Sequence, residues 1–343
     1  MNTPAWLTGL ATALAITITL AVMIGPVPLA PGLIWRVAFD RVVPGVIAVD
    51  WQPFQANIIW EIRFPRVLLG GLVGAGLALV GAVMQSLVRN PLADPYLLGV
   101  SSGAGLGAVS VLLLGVTPFG VYSLSLAACL GAFLASTCVY GLASQPGQFT
   151  TGRLILGGVA VSYVFSALTN FLIYNAPASE QARDVLFWLL GGLGGARWHQ
   201  LALPALVMIV AMALLVPQAR TLNVLAVGEE GAATLGVDTN RVRRQGFVLT
   251  SLVTGVLVAL SGGIGFIGLM VPHIARLCVG ADHGRLLPVT ALTGAIFLIW
   301  ADVLARTITA PQELPIGIIT SLVGAPFFIW MMRRTGRAGQ PGR

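Results

Sequence analysis

Arginine and acidic residues at the ends of apolar segments are the groups of this chain that could bind an ionic partner. Arg63 and Arg66 stand three apart in EIRFPRVLLGG, and Arg306 follows Asp302 by four residues in ADVLARTI. On a helix, either spacing places the two side chains on one face. Guanidinium groups take carboxylates in two-pronged hydrogen bonds. Two interpretations stay open: local pairing with Glu61 and Asp302, or docking of an acidic protein.

Catalytic and metal chemistry have little support in the sequence. The histidines, His199, His273 and His283, are scattered, and no HExxH spacing occurs. The chain contains no lysine, so it lacks the lysine of a phosphate-binding loop, and any ATP hydrolysis must occur on another polypeptide. We therefore expect no metal site, no cofactor and no enzyme activity. An ion-coupled secondary transporter would need ionisable groups in mid-membrane, for which Asp302 is the one candidate.

The composition is that of a membrane protein. Hydrophobic residues make up 57% of the 343 residues, charged residues 9%, and the mean hydropathy is +0.90. Soluble domains carry about 25% charged residues. Backbone groups in lipid must bond within their own segment, and the apolar runs are long and unbroken, so the spans should be helices. The predicted fold class is an all-α, polytopic membrane protein with one transmembrane domain over 1–343.

Ten apolar runs are candidates for spans, which need about 20 residues each. The eighth is short and is interrupted by Pro272, so neighbouring helices would have to shelter it. The first is longer than the core of a signal peptide and is read as an uncleaved span. The predicted spans are 6–24, 64–88, 96–115, 120–143, 153–174, 200–217, 245–265, 268–280, 285–308 and 315–332.

The distribution of arginine indicates the orientation. With both termini inside and ten spans, twelve of the 19 basic residues lie on the inner side and seven on the outer side, as expected because basic residues collect in cytoplasmic loops. Arg63, Arg66 and Arg306 then lie on the outer face, against this trend. The outer side also holds the proline- and tryptophan-containing stretch 25–62 and a short surface helix over 179–190.

Glycine spacing indicates close helix packing and a faint internal repeat. Small residues let helix backbones approach in a membrane, and the sequence GVSSGAGLG places a stripe of Gly99, Gly103 and Gly107 on one helix face. A shift of 181 positions superimposes Gly74 on Gly255 and Pro91 on Pro272. Because this offset equals five spans, the halves would be inverted, which is a common plan among transporters.

Two inner segments stand out. The stretch 222–246 fits two short helices, one ending near Gly228 and one stopping at a second glycine, a natural helix end. It is either a solvated loop or a knob for a cleft in a cytoplasmic partner. The candidate coupling residues are Gly228, Glu229, Glu230, Ala232, Ala233, Leu235 and Gly236. The second segment is a turn in which prolines break the helix and polar side chains cap the next one; its residues are Asn90, Pro91, Asp94 and Pro95.

Several long stretches of the chain resemble the signatures of a known family. Three stretches look like the signatures of the FecCD-type permeases of importers for ferric siderophores, haem and cobalamin: RFPRVLLGGLVGAGLALVGAVMQSLVRNPLADPYLLGVSSGAGLGAV, GFIGLMVPHIARLCVGADHGRLLP and ELPIGIITSLVGAPFFIWMMRR. VGEEGAATLGV resembles the family's coupling-helix segment. The resemblance covers about 60–335 and implies ten spans and a homodimer that encloses the pathway at its axis, in the cell inner membrane.

The resemblance also implies partners and site residues. Two cytoplasmic ATPase subunits would dock on the coupling helices, about 222–240, and a periplasmic binding protein on the outer face. In relatives that protein's glutamates meet arginines at positions matching Arg63, Arg66 and Arg306. The cytoplasmic gate would lie at Thr150 and Thr151. A ferric siderophore is the expected cargo because that branch is the most populous; haem and cobalamin are the alternatives.

Overall fold

The computed structural model describes residues 3–145, 148–149, 151–176 and 179–338, and within them the chain is almost wholly helical. The all-α prediction is therefore confirmed. A pair of two-residue antiparallel strands, Ser144–Gln145 and Gln148–Phe149, precedes the seventh helix. The α-helices in chain order are α1 (Thr3–Met23), α2 (Pro31–Val42), α3 (Pro53–Asn57), α4 (Phe64–Val88), α5 (Val100–Leu114), α6 (Ser123–Ala143), α7 (Thr151–Tyr174), α8 (Ser179–Leu189), α9 (Trp198–Leu215), α10 (Ala219–Val227), α11 (Glu229–Thr234), α12 (Thr239–Ser261), α13 (Ile267–Val279), α14 (His283–Thr307) and α15 (Ile316–Ala338).

Each of the ten predicted spans contains a helix. Among the described residues, eight helical segments are long and apolar enough to cross a membrane, whereas α5 and α13 are shorter, with 15 and 13 residues. The crossing of all ten stays a prediction. Some boundaries differ: α5 begins at Val100 rather than 96 because a 3-10 turn, Pro95–Leu98, comes first. Helix α12 begins at Thr239 rather than 245, because Asp238 accepts a hydrogen bond from the backbone N–H of Arg241 and caps it.

Helix α4 is the central element and is buried along most of its length against α14, α12 and α13. Its close approach to α14 depends on glycine: a Cβ added at Gly74 or Gly294 would collide with the backbone of the other helix. A Cβ at Gly81 would collide in the same way with Gly268 of α13. Small residues therefore set the distances between these helices, as they do in other membrane bundles.

The glycine stripe of α5 has the packing role that the sequence predicts. A Cβ at Gly103 would meet the backbone of Gly131 on α6, and one at Gly107 would meet the backbone of Ala127. Gly99 instead lies just before α5 with φ of +68°, a conformation that glycine adopts without strain. Gly103 and Gly107 thus let α5 pack closely on α6, whereas Gly99 ends the 3-10 turn Pro95–Leu98.

The stretch 25–62 contains helices that the sequence pattern did not indicate. After α2 and α3 the chain forms a π-helical turn, Ile58–Arg63, that runs directly into α4. Trp60 in this turn stacks on Trp198 at a ring-centroid distance of 4.5 Å, and the indole of Trp198 donates to the carbonyl of Trp60. Two prolines of this stretch, Pro31 and Pro53, stand at the first positions of α2 and α3, where the missing N–H costs nothing.

Candidate functional site

A cluster of charged residues joins α4, α14 and the segment after α14. We call it the outer arginine cluster, after the side predicted for it from the sequence; its members are Arg63, Arg66, Asp302, Arg306 and Glu313. Arg66 donates through Nε to both carboxylate oxygens of Asp302 at 3.0 Å, and its Nη2 lies 2.9 Å from Asp302 Oδ1. Its Nη1 lies 2.8 Å from Glu313 Oε1. Arg306 Nε lies 3.6 Å from Asp302 Oδ2. The predicted pairing of Asp302 with Arg306 is present, and Arg66 holds the same carboxylate more closely.

Arg63 binds backbone carbonyls rather than a carboxylate. Its Nη1 donates to the carbonyls of Val22 and Met23 at 2.7 and 3.0 Å, and its Nη2 donates to Val27 at 2.6 Å. Arg306 also donates to a carbonyl of this helix end, that of Ala21. The last carbonyls of a helix lack intrahelical partners and carry partial negative charge. The two arginines therefore cap the end of α1.

Arg63 and Arg66, which the sequence places on one helix face, contact different elements. Arg63 ends the π-helical turn and reaches α1, whereas Arg66 lies in the first turn of α4 and reaches α14. The backbone is α-helical from Arg63 to Arg66, so the spacing of three keeps both residues on one side of the helix while their side chains reach different neighbours. Glu61, the other partner considered for these arginines, is exposed.

Burial limits what the outer arginines can offer to another protein. Arg63, Arg66 and Arg306 are 4%, 8% and 5% exposed, and the side chain of Asp302 is 2% exposed. The accessible charged member of the cluster is Glu313, with 42% of its side chain exposed. The arginines are thus not free receptors in this conformation, and their docking role stays a prediction that requires them to exchange partners. Asp302, held by two arginines, is not available for ion coupling.

The predicted coupling segment has the expected shape. Helix α10 stops at Gly228, whose φ is +136°, α11 follows immediately, and Gly236, with φ of +74°, ends the second helix. Ala232 is fully buried, whereas Leu235 is 69% exposed and projects from the surface. The side chains of Glu229, Glu230 and Ala233 lie outside the described part of the structure. Contact of this segment with an ATPase stays a prediction.

A chain of polar contacts connects the coupling segment to the central helix. We call Ser86, Asn223, Asp282 and His283 the inner polar chain. The side-chain oxygen Oδ1 of Asn223, on α10, lies 2.6 Å from Nδ1 of His283. The same oxygen accepts a hydrogen bond from the backbone N–H of His283 at 2.9 Å. His283 Nε2 lies 2.5 Å from Ser86 Oγ on α4. Because the amide oxygen of Asn223 can only accept, Nδ1 of His283 donates to it.

Asp282 completes this chain at the solvent side. Its Oδ1 accepts from Asn223 Nδ2 at 2.7 Å and from the backbone N–H of Gly284 at 3.2 Å, which caps α14. The hydrogen bond from Asn223 is the first cause that lowers the pKa of this carboxyl below its usual value, followed by that from Gly284. Asp282 therefore stays ionised and orients the Asn223 amide.

A second buried contact ties α13 to the same part of α4. Gln85 donates to the carbonyl of Gly268 at 3.0 Å and accepts from Arg276. Sequence reasoning missed Gln85, Ser86 and Asn223, because isolated polar residues in apolar or loop segments carry no spacing signal. No spacing in the sequence singled out His283. The one signal was Asp282 immediately before it, a residue type that caps helices.

The predicted turn between α4 and α5 is confirmed in its geometry. Asn90 Oδ1 accepts from the N–H of Leu92 at 2.9 Å, and Asp94 Oδ1 accepts from the N–H of Tyr96 at 2.8 Å, capping the 3-10 turn. Pro91 and Pro95 lie between α4 and α5 and separate them. Burial raises the pKa of Asp94 to about 6, against the lowering effect of the Tyr96 hydrogen bond.

The predicted gate falls largely outside the described residues. Thr150 is not described, and Thr151 begins α7 with an undescribed side chain. Across residues 3–338 as far as the structure describes them, no group of three His, Cys, Asp or Glu side chains could hold a metal ion. The candidate sites are therefore an ion-pair cluster at one end and a helix pair with its polar chain at the other.

Comparison with known proteins identifies relatives over most of the chain. A model of the FecCD transport family matches residues 13–334. The cobalamin import system permease protein BtuC of Halobacterium salinarum is 47% identical over 273 residues, which cover 78% of this chain and 70% of that protein. The vitamin B12 import system permease protein BtuC of Salmonella typhimurium is 45% identical over 266 residues, covering 78% and 80%.

Solved structures agree with this relationship. An ABC transporter assigned to the metal-chelate type, in an inward-facing conformation, superimposes with a TM-score of 0.84 and 33% identity, covering 96% of this chain and 99% of that chain. PsaBC from Streptococcus pneumoniae, at a TM-score of 0.53 and 18% identity, covers 78% and 89% and shares the fold. The match extends over nearly the whole transmembrane bundle, and the family's members are permease subunits of ABC importers with separate ATPase subunits. This chain belongs to the FecCD transport family and is a multi-pass membrane permease of that kind.

Proposed function

We propose that this permease carries cobalamin across the cell inner membrane. The observation that carries the proposal is its 45–47% identity to two permeases named for cobalamin or vitamin B12 import. The metal-chelate type transporter is less similar, at 33% identity. The ferric siderophore was expected only because the siderophore branch of the family is the most populous, and no residue of this chain favours it. None of the relatives described above is named for haem.

Reconstitution tests the cargo directly. The chain, its ATPase and its binding protein in liposomes should take up labelled cobalamin when ATP is supplied, with little uptake of a ferric siderophore or of haem. ATP-dependent uptake of a siderophore alone would reject the cargo while leaving the permease function intact. Uptake driven by an ion gradient without the ATPase would contradict the importer mechanism.

The mechanism we propose needs movement rather than chemistry within this chain. A loaded binding protein bridges the outer faces of a homodimer, ATP binding draws the ATPases together, and the α10–α11 pair moves with them. Both termini and this pair would lie on the cytoplasmic side. Asn223, which contacts both Asp282 and His283, would pass the movement to α14, and Ser86 would receive it on α4. Each partner can shift the equilibrium only toward the state it binds more tightly.

The exposed Leu235 offers a test of the coupling proposal. Leu235→Asp should reduce ATP-dependent uptake because a charge replaces the apolar group that enters the ATPase cleft. Val49→Asp, a matched change at an exposed apolar residue of the other end, should leave coupling unchanged. Normal coupling in the Leu235 variant would place the ATPase contact elsewhere.

For the outer face, we propose that a carboxylate of the binding protein replaces Glu313 on Arg66. This exchange would give the buried arginine its docking role without leaving it unpaired, because Glu313 is half exposed and its pair with Arg66 is the accessible one. Arg63 and Arg306 would support the site by holding the end of α1.

Removal of the competing carboxylate tests this exchange. Glu313→Gln should strengthen binding of the binding protein by up to about fivefold, since an exposed ion pair contributes at most about 1 kcal/mol. Glu61→Gln, a change of the same charge at another exposed residue, is the control. Weaker binding by the Glu313 variant, or an equal gain in both variants, would reject the exchange.

We further propose that a second copy of the chain completes the pathway beside α7. A cleft of about 340 Å³ there is lined by Tyr96, Ser162, Tyr163 and Ser166, among others. Hydroxyl groups of this kind would hold a polar cargo weakly, as a transport pathway requires. Cysteines placed at Tyr163 in an otherwise cysteine-free chain should cross-link two copies; cross-linking only elsewhere would move the dimer axis.

A further inference from the structure

Two apolar clefts meet at Arg244, an exposed residue of α12. The first cleft, of about 220 Å³, lies among α6, α7 and α12 and is lined by apolar side chains such as Phe133 and Leu154. The second, of about 420 Å³, lies between α9 and α12 and is lined by residues such as Leu214 and Leu252. Arg244 lines both clefts, and so does Val248, one turn further along the helix.

The charge at this junction is positive. Arg244 and Arg241 are both exposed and stand three residues apart, so they lie on one side of α12. None of the described residues that line either cleft is acidic. The nearest acidic residue along α12 is its cap, Asp238, which is bound to the backbone N–H of Arg241. An anion placed between the arginines would therefore meet no opposing carboxylate in the clefts.

The residues around the junction are of the types expected at a membrane–water interface. Arg244 lies in the second turn of α12, and Gln218, the residue before α10, lines the second cleft with it. Both are at the end of the bundle that carries α10 and α11. Arginine side chains at such positions extend toward the headgroup region while their apolar stems stay in the hydrocarbon. The clefts run from this cation along α12 beside exposed apolar side chains such as Leu214 and Leu252.

We propose that this junction binds one anionic phospholipid, with its phosphate on Arg244 and Arg241 and one acyl chain in each cleft. One charged headgroup with two apolar chains is the shape that two clefts diverging from one cation would accept. Basic pockets between transmembrane helices on the cytoplasmic side are known to bind anionic headgroups. Because the lipid would contact α6, α9 and α12, it would fill the space between these helices near the coupling segment.

The probe is phosphatidylglycerol, compared with phosphatidylcholine of the same acyl chains. The full-length chain is purified from mixed nanodiscs, and the lipid that stays bound is counted by native mass spectrometry. Arg244→Gln should weaken retention of phosphatidylglycerol about fivefold, the effect expected from one interfacial cation. Arg333→Gln, an exposed arginine at the end of α15 outside both clefts, is the matched control and should retain the lipid.

A second variant tests the clefts separately from the charge. Val248 is 55% exposed and lies at the junction, so Val248→Trp should obstruct both clefts and displace either lipid while leaving Arg244 in place. A photo-reactive residue at the same position should cross-link to lipid. Equal lipid retention by the Arg244 and wild-type chains, equal losses in the Arg244 and Arg333 variants, or cross-linking to a second copy would each overturn the proposal.

Discussion

Replacement of Asp302 by asparagine would remove the one carboxylate that the two buried arginines share. Asp302 accepts from Arg66 at 3.0 Å and lies 3.6 Å from Arg306. Asparagine has nearly the same volume, so the variant changes the charge without opening a cavity. The two guanidiniums would then face each other with Glu313 as the remaining carboxylate of the cluster.

The expected loss follows from burial. Removal of one partner of a buried ion pair costs about 3–5 kcal/mol, because the other charge is left uncompensated. Glu313 is half exposed and bound to the same arginine, so Glu313→Gln should cost only about 0.2–1 kcal/mol. The two carboxylates thus share a partner and differ in burial, which makes Glu313→Gln an internal control.

The free energy of unfolding can be measured by denaturant titration of the chain in mixed micelles, followed by circular dichroism. Addition of Arg306→Gln to the Asp302 variant should restore part of the loss, because the excess positive charge is removed. A loss of less than about 1 kcal/mol for Asp302→Asn, or equal losses for both carboxylates, would refute the view that this pair stabilises the outer end.

Three further predictions concern the inner segment, the turn and the core. Asn223→Ala, which removes the contacts to α14, should lower transport per ATP hydrolysed by the complex; unchanged coupling would exclude the inner polar chain from transmission. Because the pKa of Asp94 is raised to about 6, the folded chain binds more protons than the unfolded chain between about pH 4 and 6. Stability should therefore fall by up to about 3 kcal/mol as pH rises through this range, and Asp94→Asn should flatten the profile; an unaltered slope would contradict the assignment. Gly294→Val should prevent folding because its side chain would collide with Gly74, whereas Gly9→Val, which meets open space, should fold normally, as size-exclusion profiles would show.

The helices could be predicted because the bilayer imposes their length and composition. Apolar runs of about 20 residues marked the spans, and glycine marked the ends of α10 and α11. The turn at Asn90 and Asp94 was predictable for a similar reason, since both side chains bond backbone groups within two residues. Such features depend on neighbours in the chain.

The partners of charged residues were less predictable. The Asp302–Arg306 pair was expected because it lies within one helix, but Arg66 pairs with Asp302 across 236 positions of sequence. Arg63 lies beside carbonyls about 40 positions away. A π-helical turn that no sequence pattern indicated precedes the two arginines. Their burial, and hence the need for partner exchange in docking, followed from these contacts.

The sequence alone determined that this chain is a helical membrane protein without the lysine of a phosphate-binding loop, because both statements depend only on which residues are present and in what order. Only the tertiary structure decided which polar groups meet. Helices that are distant in sequence pack together so that Ser86, His283, Asn223 and Asp282 form the inner polar chain. The same packing forms the two clefts that Arg244 lines. The physical reason is that hydrogen bonds and ion pairs act over a few ångströms, whereas the chain segments that supply them are ordered by packing of the whole bundle.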